Sequence, residues 1–255
     1  MKTNRLKQLL SSGQPARGCW MGIPSPFSAR LLSRLPLDWL MVDAEHAPID
    51  AQTLSLMVAA IAEADGPAPV VRIAQASVEN IKRALDAGAF GIIAPMINSP
   101  EEAEQVVAWA KFPPQGQRSL GSAYAGLAFG QSMAEYFRSA NDQTIVGIQV
   151  ESEAALENLD AIFNVKGIDL IFVGPIDLSI SLGLDPFTEN PHPTFQRVLQ
   201  RIIDSARLHR LPLGIFCSNG QVAAERIQQG FQFVNVTSDT GGLVRHVQSE
   251  LDASR

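Results

Sequence analysis

Lysine, cysteine and positive charge are all scarce in this chain, and each scarcity closes a route. The lysines are Lys2, Lys7, Lys82, Lys111 and Lys166. Lys82 falls inside a predicted helix, Lys111 ends one, and Lys166 precedes an apolar run rather than following it. None stands at the C-terminal end of a predicted strand, so none is placed for Schiff-base chemistry. Any carbonyl activation would then fall to a metal ion acting as a Lewis acid. Cys19 and Cys217 are the 2 cysteines, each in a predicted strand, and they read as buried free thiols rather than a disulfide. The formal net charge is −6, and no basic stripe is present to neutralise phosphates, which excludes a nucleic-acid footprint. The longest apolar runs fall far short of the roughly 20 residues that span a bilayer. The N-terminal MKTNRLKQLLSSGQP has no sustained apolar stretch and reads as a short amphipathic helix rather than a signal peptide. A cytoplasmic protein without nucleic-acid or membrane partners is expected.

What the chain does have is a recurrent apolar, β-branched run. Such runs fall at 18–23, 38–43, 69–73, 91–96, 144–150, 169–174, 211–217 and 231–236. Helical-period segments lie between most of them. Residues 50–64 place Leu54, Met57, Val58 and Ile61 on one face. Ser77 reads as an N-cap with Gly88 as a stop, and Ser99-Pro100-Glu101-Glu102 is a cap, a first-position proline and first-turn acid. Residues 153–163, 195–208 and 221–229 complete the helices. Strand and helix alternating eight times in 255 residues is the pattern of an α/β (β/α)8 TIM barrel in a single domain. The alternative, a doubly wound open sheet, would announce itself with a glycine-rich first turn, and Gly22-Ile23-Pro24-Ser25-Pro26 is not one. The longest irregular segment, 112–130, follows strand 4 and is expected to overhang the active face.

In such a barrel the C-terminal strand ends form that face. Here they carry Asp43, Glu45 and His46 from strand 2, Arg72 from strand 3, and Gln149 and Glu151 from strand 5. Strand 6 adds Asp177, strand 7 Ser218 and Asn219, and strand 8 Ser238 and Asp239. Gln149 and Glu151 share strand parity, so both can point inward. Two carboxylates at buried strand ends, Glu151 and Asp177, are costly unless a cation sits between them, and a divalent metal suits their oxygens. Each residue also has a plainer reading. Arg72 could pair with a buried carboxylate such as Asp86; Glu151 and Asp177 could be helix N-caps; His46 could be a loop histidine or be held by Asp43. Ser238-Asp239-Thr240-Gly241-Gly242 is either a phosphate cradle or an ordinary helix start, and no Lys or Arg accompanies it.

Six motifs in this order resemble one family. They are D-x-E-H (Asp43, Glu45, His46), V-V-R-I around Arg72, A-L-D-A-G-A-F-G-I-I-A-P (84–95), G-x-R-S-x-G (116–121), Q-V-E-S (149–152) and G-P-x-D-L-S-x-x-x-G (174–183). Together they resemble the HpcH/HpaI aldolases, class II pyruvate aldolases with a barrel of the phosphoenolpyruvate/pyruvate-domain type. The resemblance implies reversible cleavage of 4-hydroxy-2-oxo acids to a 2-oxo acid such as pyruvate and an aldehyde. It implies a divalent metal ion (Mg2+, Mn2+ or Co2+) on Glu151 and Asp177, Arg72 and Gln149 on the oxo acid, and His46 with Asp43 in proton transfer. Gly174, Ile176 and Asp177 would shape the carboxylate site, the last two through backbone N–H groups. It also implies a homohexamer, a trimer of dimers with the C-terminal helix exchanged between partners. Phe216 stands where the family pattern often has a smaller aliphatic residue, which bears on the aldehyde. Two rivals remain at this stage: an acyl-CoA lyase of the same superfamily, which needs basic residues for the CoA phosphates where 112–130 offers Arg118, and a non-catalytic barrel used for assembly.

Overall fold

The computed structural model describes residues 3–255. Met1 and Lys2, which begin the N-terminal segment read above, lie outside the described residues. The strands are β1 (Ala16–Met21), β2 (Trp39–Asp43), β3 (Ala68–Arg72), β4 (Gly91–Ala94), β5 (Ile145–Val150), β6 (Leu170–Val173), β7 (Leu213–Ile215) and β8 (Phe233–Ser238). They pair in parallel in chain order, and β8 pairs with β1, which closes the barrel and excludes the open sheet.

α1 (Arg5–Ser11) precedes the barrel and buries Leu6 and Leu10. α2 (Pro26–Leu32), α3 (Ala51–Ala62), α4 (Val78–Asp86) and α5 (Pro100–Ala110) follow the first four strands. α6 (Ala123–Ala128) and α7 (Met133–Gln143) intervene before β5. α8 (Glu153–Glu157) and α9 (Leu159–Phe163) follow β5, α10 (Pro175–Ser181) and α11 (Pro193–His209) follow β6, α12 (Gly220–Gln228) follows β7, and α13 (Asp239–Ala253) follows β8. The expected caps form: Ser77 Oγ accepts the Asn80 N–H and Ser99 Oγ the Glu102 N–H, with Pro100 in the first turn. The helix read over 153–163 is instead two short ones. Asn158 sits between them, and its side-chain amide donates to the Ala154 and Asn98 carbonyls.

Strand parity sorts the apolar residues into two cores. Leu40, Val42, Val71, Ile92, Ile148 and Val173 face the helices. Trp39, Met41, Val70, Ile93, Phe172 and Phe233 fill the barrel. Each such burial contributes about 1.5–3 kcal/mol relative to exposure. Trp39 stacks on Phe233 with ring centroids 4.0 Å apart, and Gly18 is required beside them because any Cβ there would strike the Trp39 ring. β7 is shorter than its apolar run. Beyond Ile215 the ladder is replaced by the Asn235 side chain, which accepts from Cys217 N at 2.8 Å and donates to Cys217 O at 2.7 Å. Cys19 and Cys217 are both buried and free, and burial pushes each thiol up to about 12.

One positional expectation is corrected. Segment 112–130 follows α5, which runs back along the barrel, so it covers the opposite, N-terminal end. Phe129 stacks on Phe90, the residue before β4, with centroids 4.0 Å apart. Arg118 there is buried, pairs with Asp86 at 2.9 Å and donates to Tyr136 Oη at 2.9 Å.

Candidate active site

The inward positions at the C-terminal strand ends converge on a cavity of about 450 Å³. Asp43, His46, Arg72, Gln149, Gly174, Ile176, Asp177 and Phe216 all line it, while Glu151 lies buried beneath the wall. Ser218 and Asn219 are not among the lining residues: Asn219 caps α12, and the Ser218 N–H donates to Glu189.

Arg72 ends β3 pointing inward and is 9% exposed. Its partner is not Asp86, which Arg118 holds, but Asp43. Arg72 Nε donates to Asp43 Oδ1 at 2.9 Å and Nη2 to Oδ2 at 2.5 Å. Nη1 lies 3.2 Å from Glu45 Oε2, an ion pair off the hydrogen-bonding direction, since that oxygen is buried without a hydrogen-bond partner. Burial alone would push the Asp43 carboxyl up. The two Arg72 hydrogen bonds and charge, with the Trp20 N–H, outweigh it and hold Asp43 below the usual carboxylate range. Asp43 Oδ1 also accepts the backbone N–H of Glu45 at 3.1 Å and of His46 at 3.3 Å, which fixes the turn after β2. Asp43 therefore holds the backbone of His46 and not its ring. The imidazole is 63% exposed, with Glu45 Oε2 at 3.8 Å from Nε2.

The plainer readings of the two acids also fall away. Ser152, not Glu151, caps α8, and α10 has no side-chain cap, with Asp177 in its first turn. Glu151 Oε1 accepts the Met96 N–H at 2.8 Å, and Gln149 Nε2 donates to Glu151 Oε2. Met96 is held at φ 54°, a left-handed conformation costly for a residue with a side chain. Gly174 is required opposite: a Cβ there would collide with Glu151 Oε2 and crowd Gln149. Burial pushes the Glu151 carboxyl up, and the nearby Glu45 and Asp177 charges add to this against the hydrogen bonds from Gln149 and Met96. Burial raises Glu45 as well, opposed by Arg72 and reinforced by Asp43 and Asp177.

Among the described residues, no three carboxylate, imidazole or thiol groups come together as a protein-only metal cage. The donors present are oxygens: Glu151, Asp177 and the buried Gln149 Oε1, which has no hydrogen-bond partner. Mutually repelling carboxylates beside an orphaned carbonyl oxygen fit a hard divalent cation that keeps positions for substrate and water.

Three contributors were not assigned from sequence. Trp20 donates its indole N–H to Asp43 Oδ2 at 3.1 Å and lies under the Arg72 guanidinium, 4.7 Å from ring centroid to Cζ. Its edge meets Phe216 at 5.4 Å. Its inward parity with Gly18 on β1 was the available signal. Glu45, at the strand-2 end, has no assigned role in the sequence, and Met96 has only its place at the end of the 91–96 apolar run. The segment after β8 is a helix start and no phosphate cradle. Ser238 Oγ accepts the Gly241 N–H, and the Asp239 carboxylate accepts from Gly22 at 2.9 Å, Ile23 at 3.0 Å and Thr240 at 2.7 Å.

The closed barrel and this acid- and arginine-lined mouth define the class of (β/α)8 barrels with a polar cavity at the C-terminal strand ends. Residues 17–246 match the HpcH/HpaI aldolase/citrate lyase family. Hydroxypyruvate/pyruvate aldolase of Pseudomonas aeruginosa is 37% identical over 97% of this chain and 91% of its own length. The 4-hydroxy-2-oxo-heptane-1,7-dioate aldolase of Escherichia coli is 36% identical over 96% of this chain and 93% of its own. The crystal structure of an HpcH/HpaI aldolase/citrate lyase family protein from Burkholderia cenocepacia J2315 superposes with a TM-score of 0.91 at 33% identity, covering 99% of this chain and 100% of that one. The chain belongs to the HpcH/HpaI aldolase/citrate lyase family, and with it to the carbon–carbon lyases.

Proposed function

We propose that this lyase reversibly cleaves 4-hydroxy-2-oxo acids to pyruvate, or a close 2-oxo acid, and an aldehyde, using a divalent ion such as Mg2+, Mn2+ or Co2+. The observation that carries it is the oxygen-donor set of Glu151, Asp177 and Gln149 beside Arg72 at the barrel mouth. Glu151 and Asp177 would hold the ion, which when bound supplies Lewis-acid polarisation of the 2-oxo group. Arg72 is anchored by Asp43 and turns its remaining donors to the substrate carboxylate or the developing enolate oxygen. The Ile176 and Asp177 N–H groups, at the uncapped start of α10, receive the carboxylate. His46 takes the proton of the C4 hydroxyl. As the C3–C4 bond breaks, its electron pair moves into the enolate, C4 becomes the aldehyde carbonyl, and a proton returned to C3 completes pyruvate. The acyl-CoA alternative loses its basic residue, because Arg118 is buried in a pair with Asp86 at the other end of the barrel.

The assembly we propose is a cytoplasmic homohexamer of single barrel domains with α13 exchanged between partners. In the single chain α13 buries no residue, and Leu243, Val244, Val247 and Leu251 are exposed on it.

The test is pyruvate release from a panel of 4-hydroxy-2-oxo acids. EDTA should abolish it, added divalent ions should restore it, and borohydride with pyruvate should trap no adduct. Adding Mn2+ should raise the melting temperature of the native protein but not of Glu151→Gln. Full activity in EDTA, or equal Mn2+ shifts in both proteins, would sink the metal assignment.

A further inference from the structure

The cavity has two chemically distinct sides. The side built from β2 to β6 carries the charged groups Asp43, Arg72 and Asp177, with the Gln149 amide among them. The side built from β7, β8 and β1 carries Phe216, Ser238, Thr240 and Trp20. There the Trp20 and Phe216 rings meet edge to face, and Ser238 stands in register with Trp20 across the β8–β1 ladder. The Ser238 and Thr240 hydroxyl oxygens lie 3.3 Å apart at the same rim. If the oxo-acid half is held by Arg72 and the Glu151/Asp177 pair, the aldehyde half faces this second side.

The charge around that side is negative. Asp239 flanks Ser238 and Thr240, and its carboxylate binds the N–H groups of Gly22 and Ile23 at the cavity edge. Asp43 and Asp177 line the cavity itself, and Glu45 and Glu151 lie close to them. Among the described residues that line the cavity, the permanent cation is Arg72, already paired with Asp43 and Glu45, and the His46 ring has Glu45 beside it. Arg245 of α13 is nearby but turns back to Thr237 Oγ1 and does not line the cavity. Within one chain, a second carboxylate on the substrate would meet acids and aromatic rings, with no further permanent cation among the described lining residues to receive it. A neutral chain with a hydroxyl would lay its C–H face on the rings and its O–H on Ser238 and Thr240.

We infer that the aldehyde partner of this enzyme is short, uncharged and hydroxylated near its carbonyl, not carboxylate-tailed. This rests on the aldolase reading above. It separates the chain from its E. coli relative, whose named substrate is a 1,7-dioate. Breaking C3–C4 of that compound leaves a four-carbon aldehyde ending in a carboxylate. In the synthetic direction a C3 proton leaves pyruvate, the C3–C4 bond forms, and the aldehyde oxygen takes a proton.

The experiment measures kcat/KM for pyruvate with glyceraldehyde, propanal and succinate semialdehyde, with Mn2+ present throughout. Exchange of the pyruvate C3 protons in D2O is followed in the same preparation. Glyceraldehyde should exceed succinate semialdehyde at least tenfold and propanal severalfold. Within the variants, where intrinsic aldehyde reactivity cancels, Thr240→Val should lower the glyceraldehyde-to-propanal ratio. Thr240→Lys should raise the succinate semialdehyde-to-glyceraldehyde ratio at least threefold. Succinate semialdehyde matching glyceraldehyde in the native enzyme, with proton exchange intact, overturns this inference and leaves the aldolase reading standing. Propanal matching glyceraldehyde overturns the hydroxyl preference. Absence of C3 exchange overturns the aldolase reading itself, and this inference with it.

Discussion

Arg72 has two obligations that its position in an apolar strand did not reveal. On the proposed mechanism it leaves donors for the substrate, and it also neutralises Asp43, which is buried with it, and the half-buried Glu45. Its planar fork meets both oxygens of Asp43 while its face rests on Trp20, a combination a lysine cannot copy. We expect Arg72→Ala to lose on the order of 3 kcal/mol or more of transition-state stabilisation, and Arg72→Lys to recover little of it. The same Arg72→Ala change strands the buried Asp43 carboxylate, a cost of about 3–5 kcal/mol in stability. Adding Asp43→Asn should therefore raise the melting temperature of Arg72→Ala without restoring turnover. Steady-state kinetics and thermal melts on the three proteins separate the roles, and near-normal cleavage by Arg72→Ala would reduce Arg72 to a structural ion pair.

At the level of elements, caps and strand ends divide the labour. Ser152 caps α8 and so leaves the Glu151 carboxylate to Met96 and Gln149; Gly174, just before α10, has no side chain to cap the first-turn N–H groups. At the other end of the barrel, Lys111 ends α5 and ties it to its neighbours. Its Nζ donates to Asn141 O at 2.7 Å and Thr144 O at 2.9 Å, and lies 3.6 Å from Asp169. A cation is favoured at those helix-terminal carbonyls, yet burial dominates and brings the amine down to about 8 against its ordinary 10.5. Because the folded value lies below the unfolded one, the charged amine costs stability below pH 8. That cost disappears as pH rises from about 8 to 10.5, where the unfolded chain binds the proton and the folded chain does not. Urea unfolding of native protein and Lys111→Met across pH 7–10.5 should therefore show the native protein gaining on the variant over that window. A constant difference would mean the amine stays charged in the fold.

For the molecule as a whole, α13 is the element out of place. Leu243, Val247 and Leu251 recur at helical spacing, and the single chain buries none of them. An exchanged C-terminal helix would cover this stripe with a second copy of the chain. Val247→Asp with Leu251→Asp should reduce the mass in light scattering from a hexamer to a smaller species and expose α13 to proteolysis. An unchanged hexamer mass would place the contacts elsewhere.

Much of this protein was legible in its residues taken in order. Eight apolar runs separated by capped helices specified a (β/α)8 barrel, because strand parity and helix periodicity are local properties of the chain. The same parity placed Gln149 and Glu151 on one inward face. What the sequence could not determine was pairing across the barrel. Arg72 meets Asp43 rather than Asp86 because closure brings β2 and β3 into register at Asp43 and Arg72, while Asp86 ends α4 near Arg118 at the far end. The 112–130 segment lies at that far end because the helix before it reverses the chain direction. Trp20 became part of the site only when β8 closed on β1 and set its ring between Arg72 and Phe216. Local periodicity depends on neighbours in sequence, whereas these contacts join residues dozens of positions apart, and only the closed tertiary structure decides which of them meet.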